Sequence, residues 1–280
     1  MQKKLKKTVS IILILSSSLV KIFAAPIAYE NYQYILKKYL NNKSAVNYKN
    51  LDITKLNNII RSFEEFTFEE YSNLNKQEQL IFWIEAYNAF MIKIGYNNYP
   101  IKRDFFDFFL YPKKSIQNIG NIDKKIVKIF NDKITLKNIR NKIIEMDSPR
   151  SLFALTTLAK TSPNLKNSLY NKNLLPRDLD EQVIKFIFNK KNYFLDRKIG
   201  VLYLSPIFKK YSEIFKIYNK NLPFFLTEEE NKIINFLLKY VRLKDETYLQ
   251  TASFYQIIYY DFDWTLNSFT IKESIDELLK

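Results

Sequence analysis

The chain has 280 residues, 47% of them hydrophobic and 16% aromatic, with a formal net charge of +15, no histidine and no cysteine. That composition can fill a sizeable core and argues against disorder over most of the length. It excludes a Ser-His-Asp triad, a Cys-His pair and a His- or Cys-based zinc site built from this chain alone. Only three glycines occur, where ordinary usage gives roughly twenty. With abundant Lys, Asn, Ile, Tyr and Phe, this is the skew an AT-rich genome produces.

Residues 1–24 have the three parts of a secretory signal. Lys3, Lys4, Lys6 and Lys7 form a charged start, Val9 to Val20 an apolar stretch, and Ala24-Ala25 a small-residue exit. The apolar stretch is broken by serines and ends at Lys21, short of the roughly 20 residues that cross a bilayer. The expectation is an exported protein, periplasmic or secreted, with no transmembrane span once mature. Losing those four lysines and Lys21 takes five charges from the formal +15, leaving +10. The remaining charges are dispersed, so weak attraction to anionic polymers is expected and no specific nucleic-acid surface.

Residues 26–280 contain no glycine-serine linker, proline-rich stretch or repeat and read as one domain. A first helix is expected over Tyr29 to Leu40 and a second over Thr54 to Phe66. The clearest helix starts from Asn75 as cap, places Leu80, Trp83, Ile84, Tyr87, Met91 and Ile94 on one face, and stops at Gly95. Thr67 with Glu70 and Thr227 with Glu230 have capping-box spacing, the second opening a helix through Val241. Lys125 to Phe130 and Ile134 to Leu136 flank an Asn131-Asp132 turn. Tyr193 to Leu195 and Val201 to Leu204 flank a turn at Gly200, and Phe254 to Tyr260 suits a buried strand. No regular βαβ period appears, so the class is α+β: a helix-rich mixed domain with short β-hairpins and a C-terminal buried strand.

Four segments recur in a recognisable order: "QLIFWIEAYNAFMIKIGYNNYP" (Gln79 to Pro100), "SPRSLFALTTLAKTSPNL" (Ser148 to Leu165), "LYLSPIFKKY" (Leu202 to Tyr211) and "YDFDWTLN" (Tyr260 to Asn267). Together they resemble the domain of unknown function 547 family. The resemblance implies a histidine where this chain has Leu152, cysteines at Thr157 and Ser162, a Glu-His pair at Arg140-Asn141 and an asparagine at Glu85. A copy lacking these groups inherits fold more safely than activity.

Two chemistries survive their loss. Ser162 or Thr157 could be a nucleophile with Lys160 as base, if burial deprotonates the lysine. The bland alternative is an ordinary Ser-Pro turn beside a solvated lysine. Carboxylate catalysis by Glu85, Asp147, Asp261 or Asp263 is the other, weighed against caps and turns for the aspartates and, for Glu85, a carboxylate reaching solvent at the edge of the apolar stripe. Arg150 offers a fork for a carboxylate or phosphate, or a partner for Asp147. Tyr87 and Asn88 line a pocket or satisfy buried polar positions. No cofactor and no metal are expected. The leading expectation is a non-catalytic binding protein with an envelope or extracellular partner, the alternative a hydrolase or acyltransferase using carboxylates or the Ser-Lys pair.

Overall fold

A computed structural model of the chain describes residues 27–102, 111–217 and 222–270. The signal reading over residues 1–24 lies outside the described residues. Nine α-helices occur among those residues: α1 Tyr29–Tyr39, α2 Ile53–Glu65, α3 Phe68–Ser72, α4 Lys76–Asn97, α5 Leu136–Met146, α6 Leu175–Ile187, α7 Pro206–Lys210, α8 Glu228–Leu237 and α9 Leu243–Thr251. Five short strands among the same residues, β1 Ile126–Ile129, β2 Asp132–Thr135, β3 Tyr193–Asp196, β4 Val201–Leu204 and β5 Gln256–Tyr259, make two small sheets. The fold is α+β and helix-rich.

Helix α4 is the organising element. Its start is a reciprocal capping box in which Asn75 Oδ1 accepts from the Gln77 and Glu78 amides, each at 3.0 Å, while Glu78 returns to the Asn75 amide at 3.1 Å. The single apolar face expected from spacing is too narrow: every residue from Leu80 to Ile92 is buried. A helix enclosed on all sides carries weak amphipathic periodicity, which is why spacing under-reads it. Gly95 does not stop α4. A Cβ there would lie 2.5 Å from the hydroxyl of the buried Tyr48, so glycine serves the close approach of that ring.

The first hydrophobic cluster packs α1, α2 and α5 around α4. The β1–β2 hairpin closes it, with its turn one residue earlier than expected. Ile129 pairs with Asp132, leaving Phe130 and Asn131 as the turn residues, both at positive φ. Such a turn matches the twist of the strands. An aromatic side chain is uncommon there, but the Phe130 ring stacks on Phe82 at 5.4 Å and meets Trp83 and Tyr71, and this packing fixes the register.

A second cluster lies on the sheet β3–β4–β5, where β3 and β4 are antiparallel and β4 and β5 parallel. Phe153 enters it from the 3₁₀ turn Arg150–Ala154 and packs on Phe186 and Phe236. Helix α8 ends at Leu237 rather than Val241, in a run of turns over residues 238–241. The C-terminal strand differs from its reading. Strand β5 sits at the sheet edge with Gln256 and Ile258 exposed and Ile257 and Tyr259 half-buried. Its β-branched and aromatic content reflects a one-sided surface, not burial on both faces.

Phe262 packs against both clusters and therefore marks their seam. The chain then runs as a strap. Trp264 O accepts from the Ile116 amide, the Leu266 amide donates to Lys114 O, the Asn267 amide donates to Leu158 O, and the Val46 amide donates to Asn267 O. The strap ties three distant segments together and carries Trp264 to the seam.

Candidate functional site

The seam opens as a two-armed cleft. Tyr87, Arg140, Thr157, Lys210, Tyr211 and Trp264 line both arms and form the junction. The outer arm, about 410 Å³, adds Gln117, Asn121 and Asp123 among its walls. The inner arm, about 180 Å³, adds Leu152, Leu155, Pro163, Pro206, Ile207 and Phe262, all apolar.

Each wall is held by identifiable local structure. Tyr87 faces the cleft from the buried helix α4. Asn88, next along, fastens the neighbouring loop: its Nδ2 donates to Ala154 O at 2.9 Å and its Oδ1 accepts from the Thr156 amide at 3.1 Å. Thr156 Oγ1 then accepts from the Leu158 amide, which presents Thr157 to the cleft. Ser205 caps the short α7 by accepting from the Ile207 amide, and α7 delivers Ile207 and Lys210.

The polar centre is Arg140 on α5. Its guanidinium forms a two-pronged pair with Asp123, Nη1 to Oδ1 at 2.5 Å and Nη2 to Oδ2 at 2.9 Å, the geometry in which Arg is most selective for a carboxylate. Arg140 is only 7% exposed, and its Nε–H is buried without an acceptor. Thr157 Oγ1 is likewise buried without a partner. The Tyr211 ring lies under both cations, 5.8 Å from the Arg140 guanidinium and 5.3 Å from the Lys210 ammonium.

Arg140, Asp123 and Tyr87 each keep one charge state over the neutral range. Burial disfavours the Arg140 cation, but its bonds to Asp123 and the nearby Tyr211 and Tyr87 phenols outweigh that and raise it. The same hydrogen bond holds Asp123 below the usual carboxylate range. Burial pushes the Tyr87 phenol up to about 12, with Arg140 pulling the other way. None of the three sits near neutrality, where a general base works best.

The structure gathers some of the sequence candidates and disperses others. Tyr87 lines the cleft, whereas Asn88 is spent on the Ala154–Thr156 loop. Arg150 lies apart, with Nε and Nη2 on the Asp147 carboxylate at 3.2 and 2.7 Å and Nη1 near Asp180 at 3.5 Å. None of Glu85, Ser162, Lys160, Asp261 and Asp263 lines the cleft. Ser162 is buried, with its Oγ 3.3 Å from Thr156 Oγ1 and donating to Pro163 O, while Lys160 and Asp261 are exposed. Asp263 Oδ1 accepts from the Thr265 amide in a turn.

Glu85 departs from its expected place at the edge of a stripe reaching solvent. It is 2% exposed and accepts from the Tyr170 amide at 2.9 Å. Burial pushes its carboxyl up to about 8, opposed by the Tyr170 amide and Lys166 and reinforced by Asp178. No basic residue on its own helix is within reach; Lys166 approaches from another segment. Among the described residues no cluster of three or more acidic side chains could hold a metal, and no helix is long and apolar enough to cross a membrane.

Of the positions that the resemblance assigns to histidine and cysteine, Leu152 and Thr157 are in the walls of the cleft, Ser162 adjoins the lining Pro163, and Asn141 does not line it; Arg140, at the position assigned to glutamate, does. Residues 71–187 match the family described as "Protein of unknown function, DUF547". The matched span contains neither histidine nor cysteine, a departure from the residues that the resemblance implies. No curated protein and no solved structure matches the chain. The matched span holds the first two of the four segments; the other two lie beyond it, yet supply Lys210, Tyr211, Phe262 and Trp264. Of the lining residues, Lys210, Tyr211 and Trp264 were not singled out by sequence reasoning, although all three stand within the quoted segments.

Proposed function

We propose that this is an exported, non-catalytic binding protein whose ligand occupies the cleft at the seam of the two hydrophobic clusters. The observation that carries the reading is convergence: all four family-like segments, spread from residue 79 to residue 267, contribute walls to this one cavity. Concave sites with apolar walls and a few convergent polar groups are the usual form of small-molecule sites. The absence of a base near neutrality among Tyr87, Asp123 and Arg140, together with Leu152 and Thr157 at the positions assigned to histidine and cysteine, favours binding over turnover. The alternative is a hydrolase or acyltransferase. It draws on carboxylates or a Ser-Lys pair that lie away from the cleft, and no geometric observation favours it.

The experiment is recovery of the natural ligand. The protein is purified from the medium and envelope fractions of an exporting host and denatured, and the released small molecules are identified. The expected result is a ligand recovered chemically unchanged and lost from a Trp264→Ala variant. Product formed in excess of protein from envelope fragments, and abolished by one substitution, would overturn the reading. Retention of the protein in the cytoplasm with residues 1–24 intact would overturn its exported part.

A further inference from the structure

Building on that reading, we infer that the ligand is a small monoanionic amphiphile, a carboxylate joined to an unbranched aliphatic or aryl group. Its carboxylate sits beside Lys210 and Arg140 and its apolar part fills the inner arm. The charges set the sign. Among the described residues, two cations face the junction against one carboxylate, Asp123, and that carboxylate is already engaged by Arg140. Lys210 has no ion-pair partner among the described residues and rests over the Tyr211 ring. An anion is therefore attracted and a cation repelled. The remaining carboxylate limits the attraction to about one unit of charge, so a dianion such as a phosphate monoester gains less.

Hydrogen bonding points the same way. A guanidinium offers five N–H donors, and Asp123 takes two. The Nε–H and the Thr157 hydroxyl are buried without protein partners, so the polar centre is under-satisfied as it stands. Buried polar groups are ordinarily paired, and an acceptor arriving at the junction strengthens the field around a cation that the protein alone leaves incompletely bonded.

The inner arm sets the rest of the molecule. Leu152, Leu155, Pro163, Pro206, Ile207 and Phe262 offer no side-chain hydrogen-bonding group to a sugar or peptide. An apolar group displaces water from them favourably. Leu152 matters most, because a polar side chain there would wet the arm. Acetate would fill only the junction, and a neutral alkane only the arm.

Trp264 reports the event. It lines both arms and is 36% exposed, whereas the other tryptophan, Trp83, is 1% exposed in the first cluster. The full mature protein is titrated with 4-phenylbutyrate and hexanoate, and with the matched alcohols, amines and alkyl phosphates, acetate and inorganic phosphate, by Trp264 fluorescence and calorimetry. The carboxylate amphiphiles are expected to bind about tenfold more tightly than the alcohols and than acetate, with affinity falling as salt rises. Lys210→Gln, at an exposed side chain that does not threaten folding, should weaken carboxylate binding about three- to tenfold and leave the alcohols unchanged. Leu152→Asn should weaken both.

Equal binding of alcohols or amines, inorganic phosphate binding as tightly as the carboxylates, no binding by any probe, or indifference to Lys210→Gln would each overturn the ligand class. None of those results touches the binding reading itself, which fails only on turnover.

Discussion

Replacing Glu85 by Gln should change how stability depends on pH, with little effect at about pH 5 and a growing gain over wild type as pH rises towards about 8. The carboxyl is enclosed on α4 and accepts from the Tyr170 amide, a bond that a glutamine oxygen can accept equally well. In the folded chain it holds its proton up to about pH 8, against 4.5 when unperturbed. Between those values the unfolded chain has released a proton that the folded chain keeps, so unfolding is increasingly favoured as pH rises. The slope is about 1.4 kcal/mol per pH unit. Over the whole window the loss is on the order of 5 kcal/mol, comparable to the total stability of many domains. Below the unfolded value the acid is neutral in both states, and above about 8 the loss is complete.

The measurement is urea unfolding of wild type and Glu85→Gln at intervals from about pH 5 to about pH 9. The other titrating groups are common to both proteins and largely cancel in the difference. The variant is expected to gain on wild type steadily through neutrality, with the difference levelling off near pH 8. A difference that stays flat across the range would refute the reasoning, since it would mean that Glu85 ionises alike in both states. A difference that shrinks with rising pH would mean that Lys166 holds the carboxylate ionised in the fold.

Two further substitutions test an ion pair in the cleft wall and a close approach on α4. Asp123→Asn removes the fork partner of a guanidinium that is almost fully enclosed. Unpaired buried charge is costly, but the Asp123 side chain is about one-third exposed, so screening reduces the loss to roughly 1–3 kcal/mol; a denaturation midpoint unchanged from wild type would contradict this. Gly95→Ala should destabilise by about 1–3 kcal/mol despite alanine's better helix propensity, because its methyl would meet the Tyr48 ring at 2.5 to 2.8 Å. The same assay checks it, and stabilisation would show that Tyr48 moves freely.

Much of the local structure was legible because it rests on local chemistry. Capping boxes at Thr67 and Thr227, the Asn75 cap and both hairpins each depend on residues a few positions apart. The failures were tertiary. Helix α4 looked one-sided because nothing in its spacing shows that α1, α2 and α5 wrap it. The Phe130–Asn131 turn was missed because an aromatic at positive φ is held there by Phe82 and Tyr71, residues far away in sequence. Glu85 could be seen to lack a helical partner, but not that the 165–170 segment would enclose it.

The cleft was legible in a different sense. Its segments could be found, but their members could not be ranked, because Arg140 becomes central only when Asp123 folds back onto it. Arg150 drew attention as the arginine beside a proline, yet it is consumed by Asp147 and Asp180.

The exchange of histidine and cysteine for Leu152 and Thr157 replaces groups that can change charge near neutrality with groups that cannot, and Arg140 beside them carries a permanent charge. Catalysis by proton transfer needs the first kind; recognition of an anion is served by the second, since permanent charge binds alike over a range of pH. Arg140 is raised and Asp123 lowered from ordinary values that already lie outside the neutral range, so neither alters between about pH 6 and about pH 9. Carboxylate affinity at the cleft is therefore expected to vary less than about threefold across that span, measured by Trp264 fluorescence. Glu85 supplies the internal control, because it titrates at about 8 on the same helix as Tyr87 yet outside the cleft. A transition in affinity centred near pH 8 that disappears in Glu85→Gln would show that α4 transmits its ionisation to the site. A transition that persists in the variant would place a titrating group in the cleft itself and reopen proton transfer there.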